Sequence, residues 1–497
     1  MTVDRPASVS DASVRARGPC RPRTAILPMG SAIRRALGLV RALALGLAVG
    51  LALALATLPA PAGAQASDTT THVLSLGGAA RLAARQSATA LIARAQAQQQ
   101  AARTRRTLGG FLPTVYGRGQ ETEVVQNSAA LLRFPPAPPG SPFNFSAFLP
   151  PAGIDFPPIK AIDLRGFAAD TLFSFGAIQR YRQSKTAERA SYTVASSSAQ
   201  DAASAAASAY LAAQQANAVL AARLADSALA ADLLTIARQQ LAAGVGITLD
   251  VTRAQSQLAT TRAQLIAARS DRDRSELDLL RALGLPLESQ LVLSDSLNTM
   301  PIADTLPSER QAIDRALRLR PDLRAADEQL QAAQQQVGAI RAERLPSVAA
   351  FGNTGVQGGR WNRLLNVYLW GIGVEVPVFD GLRRETQIEE QEALAREIEI
   401  RRRDLRQQAA IQVRQAFLAL ASARQQLDAA NTQLQLTQQE LDEARQRFRA
   451  GVAGNADVIT ASLDLNNART LQVDALAGYQ RARVALARAT GTVTELP

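Results

Sequence analysis

Ala209-Tyr210-Leu211-Ala212 returns as Ala416-Phe417-Leu418-Ala419, 207 residues further along the chain. The same offset carries Gly244-Val245 onto Gly451-Val452 and Asp250-Val251 onto Asp457-Val458. It also carries Arg262 onto Arg469 and Gly284 onto Gly491, so about 75 residues run in register without a gap. A period held that far marks a duplicated unit. Upstream, Leu112-Pro113-Thr114-Val115 pairs with Leu345-Pro346-Ser347-Val348 at the larger offset of 233, so the first half carries an insertion between the two blocks. The insertion must lie in 128–160, which holds nine of the 23 prolines (Pro135 to Pro158) and reads as a loop.

Each half follows one order. A helix, over 75–109 and again over 308–343, stops at Leu-Pro because proline cannot continue it. Two segments of strand character follow, 112–126 and 162–175 in the first half, 345–357 and 364–379 in the second. In the last of these, Tyr368, Trp370, Ile372, Val374 and Val376 alternate with Leu369, Gly371, Gly373 and Glu375, a period of two. A helical stretch without internal proline comes next, over 177–243 and 381–450, roughly 100 Å long at 1.5 Å per residue. Gly244 and Gly451 break it, and a shorter helix returns over 250–283 and 457–490. Leu258, Leu265 and Ile266, or Leu427, Leu434 and Leu441, recur at the spacing of coiled-coil seams. Residues 285–307, with Pro286, Pro301 and Pro307, link a first repeat over 65–284 to a second over 308–497.

The composition narrows the function. The 497 residues carry 55 Lys+Arg against 43 Asp+Glu, one His, one Cys and 4% aromatics. A His/Cys zinc site or a disulfide framework cannot be built from these, and any Ser-His or Cys-His dyad would rest on His72 alone. No glycine-rich phosphate loop is present, so no enzyme and no cofactor is expected. Only Lys160 and Lys185 are lysines, and the arginines sit beside acids, as in Asp271-Arg272-Asp273-Arg274, which describes a solvated helix face. A nucleic-acid reader would cluster basic charge with aromatics, and none is expected here. Residues 34–64 read as a secretory signal: Arg34, Arg35 and Arg41, an apolar run from Ala42 to Leu58, then Ala62-Gly63-Ala64 as a small-residue cleavage site. Removing 1–64 takes away eight arginines, two acids and Cys20, and the charge falls from +12 to +6.

Four strands cannot close a membrane barrel, since closed barrels need about eight or more. An open sheet would leave unpaired edges in lipid. If these strands span a membrane, several copies must therefore share one barrel, and helices of this length must project from the bilayer.

This order of elements, with Leu172-Phe173-Ser174-Phe175-Gly176 or Val378-Phe379-Asp380-Gly381 before each long helix, resembles the TolC-like outer membrane efflux family over about 74–493. The resemblance implies an α+β membrane protein. In it a homotrimer closes a 12-stranded outer-membrane β-barrel, four strands per chain, continued by an α-helical periplasmic barrel. It also implies a passive exit duct for a tripartite pump or type I secretion. Its partners would be a periplasmic adaptor, an inner-membrane transporter and outer membrane lipid.

The same resemblance nominates residues. Gly244-Val245-Gly246-Ile247-Thr248, in a tip over 244–249, would dock the adaptor, as would Gly451-Val452-Ala453-Gly454, in a tip over 451–456. The bland alternative is that the glycines only turn the chain. Asp457 would form a ring of carboxylates at the periplasmic aperture, with Thr460 standing where the family often carries a second acid. The alternative for Asp457, and more so for Asp250, is a helix N-cap. Trp361, Tyr368 and Trp370 suit a membrane-interface belt. A periplasmic coiled-coil adaptor is the competing reading. It would account for the helices but not the paired strand segments, and no lipoyl-like β module is visible.

Overall fold

A computed structural model of the chain describes residues 71–124, 139, 140, 142, 158–300, 308–450, 452 and 454–496. The expected signal over 34–64, Cys20, most of the proline-rich segment 128–160, and Gly451 and Ala453 of the second tip lie outside them. The first half runs β1 (Thr71–Leu74), α1 (Leu76–Gln86), α2 (Ala88–Gly109), β2 (Thr114–Val124), β3 (Ile159–Ser174), α3 (Phe175–Ala242) and α4 (Thr248–Leu283). After β4 (Gln290–Leu293), the second half runs α5 (Glu309–Leu319), α6 (Pro321–Ala342), β5 (Ser347–Gly358), β6 (Leu365–Glu375), α7 (Arg383–Arg449) and α8 (Asn455–Thr490). The order helix, helix, strand, strand, long helix, returning helix therefore occurs twice.

Both leading helices differ from expectation, because each is two helices. The first breaks at Ser87, which leaves the helical region (φ −60°, ψ 150°) and accepts from Ala90 N through its hydroxyl at 3.3 Å. The second breaks at Arg320, where Pro321 at the first position of α6 forces its predecessor out of the helical region. Each break lies against the glycine that ends a returning helix. Gly284 and Gly491 take left-handed φ values of 71° and 80°. A Cβ on Gly284 would meet Gln86 O at 2.7 Å, and one on Gly491 would lie 3.4 Å from the Arg320 Cα.

The long helices are 68 and 67 residues, and α3 packs against α1, α2, α4, α6 and α8. Alanine makes this closeness possible: Ala79, Ala80, Ala83, Ala203, Ala206 and Ala207 are fully buried, and backbones approach where side chains end at Cβ. Tyr210 anchors the same core. Its hydroxyl donates to Leu74 O at 3.0 Å and accepts from Asp295 N at 3.3 Å, tying α3 beneath the parallel pair β1–β4. Burial pushes the Tyr210 phenol above its ordinary pKa. Its second strand, β4, lies in what the sequence suggested was only a linker.

Arg320 is 3% exposed and fully engaged. Its Nε and Nη2 donate to the Asp322 carboxylate at 3.1 and 2.6 Å, and its Nη1 donates to Gln412 Oε1 at 2.6 Å and to Ala489 O at 3.4 Å. One guanidinium thus ties the α5–α6 break to α7 and α8. Burial alone would raise the Asp322 carboxyl, but hydrogen bonds and charge from Arg320 outweigh it and hold the group below its usual range.

The remaining strands form a four-stranded antiparallel sheet in the order β2-β3-β5-β6. Among the described residues β2 and β6 have no partner on their outer sides. No described helix is long and apolar enough to cross a membrane.

Two predictions follow from the helix ends and breaks. Gly284→Ala should lose about 2 kcal/mol through its backbone conformation and the Gln86 clash, whereas Gly338→Ala, in the open interior of α6, should gain about 0.5 kcal/mol. Thermal unfolding followed by circular dichroism in detergent reads both. Asp322→Asn should cost about 3 kcal/mol at neutral pH by stranding a buried guanidinium. A depressed carboxyl stabilises the fold above its unfolded value of about 3.9 and loses that effect as pH falls through the lower folded value. The variant's stability should therefore decline less steeply below about pH 4 than the parent's.

Candidate functional site

At the first hairpin end, α3 closes on Ala243, and Gly244 turns the chain at φ 74°. Val245 N and Gly246 N both donate to Gln240 O at 3.0 Å. A Cβ on Gly246 would lie 3.0 Å from the Gln240 carbonyl carbon, so the tight return needs glycine there. The turn leaves Val245 80% exposed, with Ile247 and Leu249 also in the open. Thr248 is the first residue of α4. The second end repeats the pattern: Val452 N donates to Arg447 O at 3.1 Å, and its side chain is 70% exposed. Gly454 is the cap residue of α8.

Asp457 is not an N-cap. It occupies the third position of α8, three residues after the cap Gly454, and it is exposed. Asp250 holds the matching position in α4, behind Ile247. Both carboxylates lie in a first turn, where the helix dipole favours negative charge. Thr460 is one turn beyond Asp457, exposed, its hydroxyl donating to Ala456 O at 3.0 Å.

Sequence reasoning missed two polar links between the hairpins. Asn455 is fully buried and donates from Nδ2 to Asp250 O at 2.9 Å, joining the first turns of α8 and α4. Further up, Asp226 of α3 is 1% exposed. Arg469 of α8 reaches its Oδ1 at 2.9 Å and Arg223 its Oδ2 at 3.3 Å, while Arg223 also donates to Thr470 Oγ1 at 3.1 Å. Burial pushes the Asp226 carboxyl up, against the pull of Arg469 and Arg223. The only sequence signal was Arg469 as the repeat partner of Arg262. The residue that matches Asp226 is Gln433, so the link is absent from the other half.

The sheet has two unlike faces. Register places Val115, Ala168, Gly352 and Trp370 in one row, and Gly117, Gly166, Thr354 and Tyr368 in the next, on one face. Ile372 and Val374 continue that face down β6, 66% exposed each. Residues of the opposite parity bring Arg118, Gln120, Asp163, Arg165, Asn353 and Gln357 to the other side. Tyr368 and Trp370, both 78% exposed, therefore belong to the apolar face, and Trp361 lies in the turn between β5 and β6.

The arrangement has known counterparts. Residues 312–492 match the family described as outer membrane efflux protein. The outer membrane efflux protein BepC of Brucella suis is 29% identical over 266 residues, 52% of this chain and 56% of that one. The cation efflux system protein CusC of Escherichia coli is 26% identical over 259 residues, 48% and 54% of the two chains. The chain thus spans about half the length of these curated relatives. The CmeC outer membrane channel of Campylobacter jejuni superposes with a TM-score of 0.67 at 16% identity, over 84% of this chain and 85% of that one. The names of BepC and CmeC place those proteins in the outer membrane. Residues 312–492 match the outer membrane efflux protein family, and the chain as a whole has the fold of outer membrane channels such as CmeC.

Proposed function

We propose that three copies of this chain close one barrel and form a passive exit duct of a tripartite efflux or type I secretion system. The observation that carries this reading is the sheet: four antiparallel strands with two open edges and an apolar face, joined to hairpins roughly 100 Å long. Closure with other copies satisfies the edges, and twelve strands in all exceed the minimum of about eight. A single chain also leaves matched apolar positions unequally covered. Leu211 is fully buried, but Leu418, its counterpart 207 residues on, is 67% exposed. A neighbouring copy supplies the missing cover.

The two halves read as tandem repeats. The offset of 233 joins the breaks at Ser87 and Arg320, and the offset of 207 joins the glycines Gly284 and Gly491 that they touch. The hairpin ends, with Val245, Ile247 and Val452 exposed, suit docking to the tips of a periplasmic adaptor, itself joined to an inner-membrane transporter that supplies the energy. Asp457 and Thr460 would line the aperture, where three copies of one carboxylate repel each other and favour cations. No cargo is assigned. CusC is named for cations and PrtF of Dickeya chrysanthemi for secretion of proteases, so similar ducts serve unlike cargo.

Fractionation tests the duct. The protein should enter the outer membrane and migrate on gels as a heat-modifiable oligomer, and a water-soluble monomer would sink the reading. Asp457→Ala should lower the cation-to-anion permeability ratio in planar bilayers by roughly twofold or more. An unchanged ratio would remove Asp457 from the aperture.

A further inference from the structure

The polar face of the sheet carries an array with no part in closing the barrel or docking a partner. Tyr116, Phe167 and Asn353 stand in one row across β2, β3 and β5, and Arg118, Arg165 and Gly355 in the next. The Tyr116 and Phe167 rings stack with centroids 5.1 Å apart and planes 11° from parallel. Both guanidinium groups flank the Phe167 ring, Arg118 at 5.3 Å and Arg165 at 6.0 Å.

The two arginines are not equivalent. Arg165 is neutralised, since its Nε donates to Asp163 Oδ1 at 2.6 Å and its Nη1 reaches Asn353 Oδ1 at 3.4 Å. Among the described residues Arg118 has the ring and no carboxylate within bonding distance, and Asp163, near enough to feel its charge, is held by Arg165. Glu121 and Glu123 of its own strand have the opposite parity and project from the other face, where Glu123 pairs with Lys160. The other acid on the polar face is Glu375 at the helix end of β6. It lies eight residues from the Arg118 row, about 27 Å along the strand. Each sheet therefore presents one uncompensated positive charge beside an aromatic platform, and Tyr116 is 49% exposed. Gly355, next to Arg165 in the arginine row, adds no side chain to cover it, and Val367 of β6 ends the row.

Arginine on the lipid side would be costly, about 2–4 kcal/mol near the bilayer midplane, so this face turns inward. We infer that the inner wall of the assembled barrel carries a binding girdle for organic anions with an aromatic body. The anionic group meets the Arg118 N–H groups, while the guanidinium carbon sits 5.3 Å over the Phe167 ring. The aromatic body stacks on Tyr116. Repeated in every copy, the girdle gives the barrel end a sign opposite to that of Asp457 at the far end. The inference rests on the duct reading above.

The test uses the full chain in planar bilayers, with 2-naphthalenesulfonate and a naphthyl-trimethylammonium cation as probes added to either side. The sulfonate should block current from the barrel side, and the cation should not. Arg118→Gln should weaken the sulfonate block roughly tenfold, the loss of a charge-assisted contact. Arg118→Lys should keep part of the block, and Tyr116→Leu should weaken it. Equal block by the two probes, which needs no variant, would overturn the girdle. So would a sulfonate block insensitive to Arg118→Gln in channels of normal conductance. Absence of any channel in the unsubstituted protein would instead overturn the duct reading, and the girdle with it.

Discussion

Unpaired backbone groups at the edges of a sheet cannot stay in lipid, because no water is there to satisfy them. The described sheet has two such edges, on β2 and β6. That constraint reaches through the rest of the molecule. On the proposed duct it calls for other copies of the chain, so the helices leading from the sheet would also have to fit neighbours. Exposed apolar positions on those helices, such as Leu418 and Ile411 on α7, then become surfaces awaiting cover. It also explains why one face of a strand can be as apolar as Tyr368, Trp370, Ile372 and Val374 without a core beneath it.

The helices meet a different constraint, that of length. A rod of 68 residues buries little per residue when its contacts are alanines, so orientation must come from a few directional contacts. These are spread along the rod. Tyr210 fixes α3 to the β1–β4 pair, Asp226 fixes it to Arg469 of α8, and Asn455 joins the two hairpin ends. Arg320 does the same work where α5 and α6 meet. A buried charge is costly unless paired, and the Asp226 carboxyl shows the strain in its raised pKa. Such links confer register rather than stability.

Much of the fold was legible because proline, glycine and period act locally. Leu-Pro ended both leading helices, Gly244 turned the first hairpin, and the alternation in β6 marked its faces. The break at Arg320 was signalled by Pro321. The break at Ser87 was not, since serine is a common helix residue until a cap forms around it. The faces of β2, β3 and β5 were hidden by glycine and alanine, which alternate without contrast, and only pairing to β6 assigns them. Asn455–Asp250 and Asp226–Arg469 span more than 200 residues, and no spacing rule reaches that far. Asp457 could be located on its helix, but not excluded as a cap until Gly454 was seen to hold that position.

The mismatches between the halves carry the last piece of the argument. Tyr210 matches Phe417, Asp226 matches Gln433 and Asn455 matches Thr248, so polar function falls on only one member of each pair. In a ring built from like hairpins, the seam within a chain and the seam between chains have similar geometry but different chemistry. Tyr210 and Asp226 lie on α3 and Asn455 on α8, and all three hold elements of one chain together. Arg262 and Gln433, the exposed counterparts of Arg469 and Asp226 on α4 and α7, are left free of that internal bond. A seam inside the chain forms once, during folding, and tolerates buried charge. On the proposed ring, the seam between copies would instead carry glutamine and solvated arginine, which exchange partners at little cost. The two hairpins match in length, and the differences at these positions give the links within the chain a chemistry that their repeat counterparts lack.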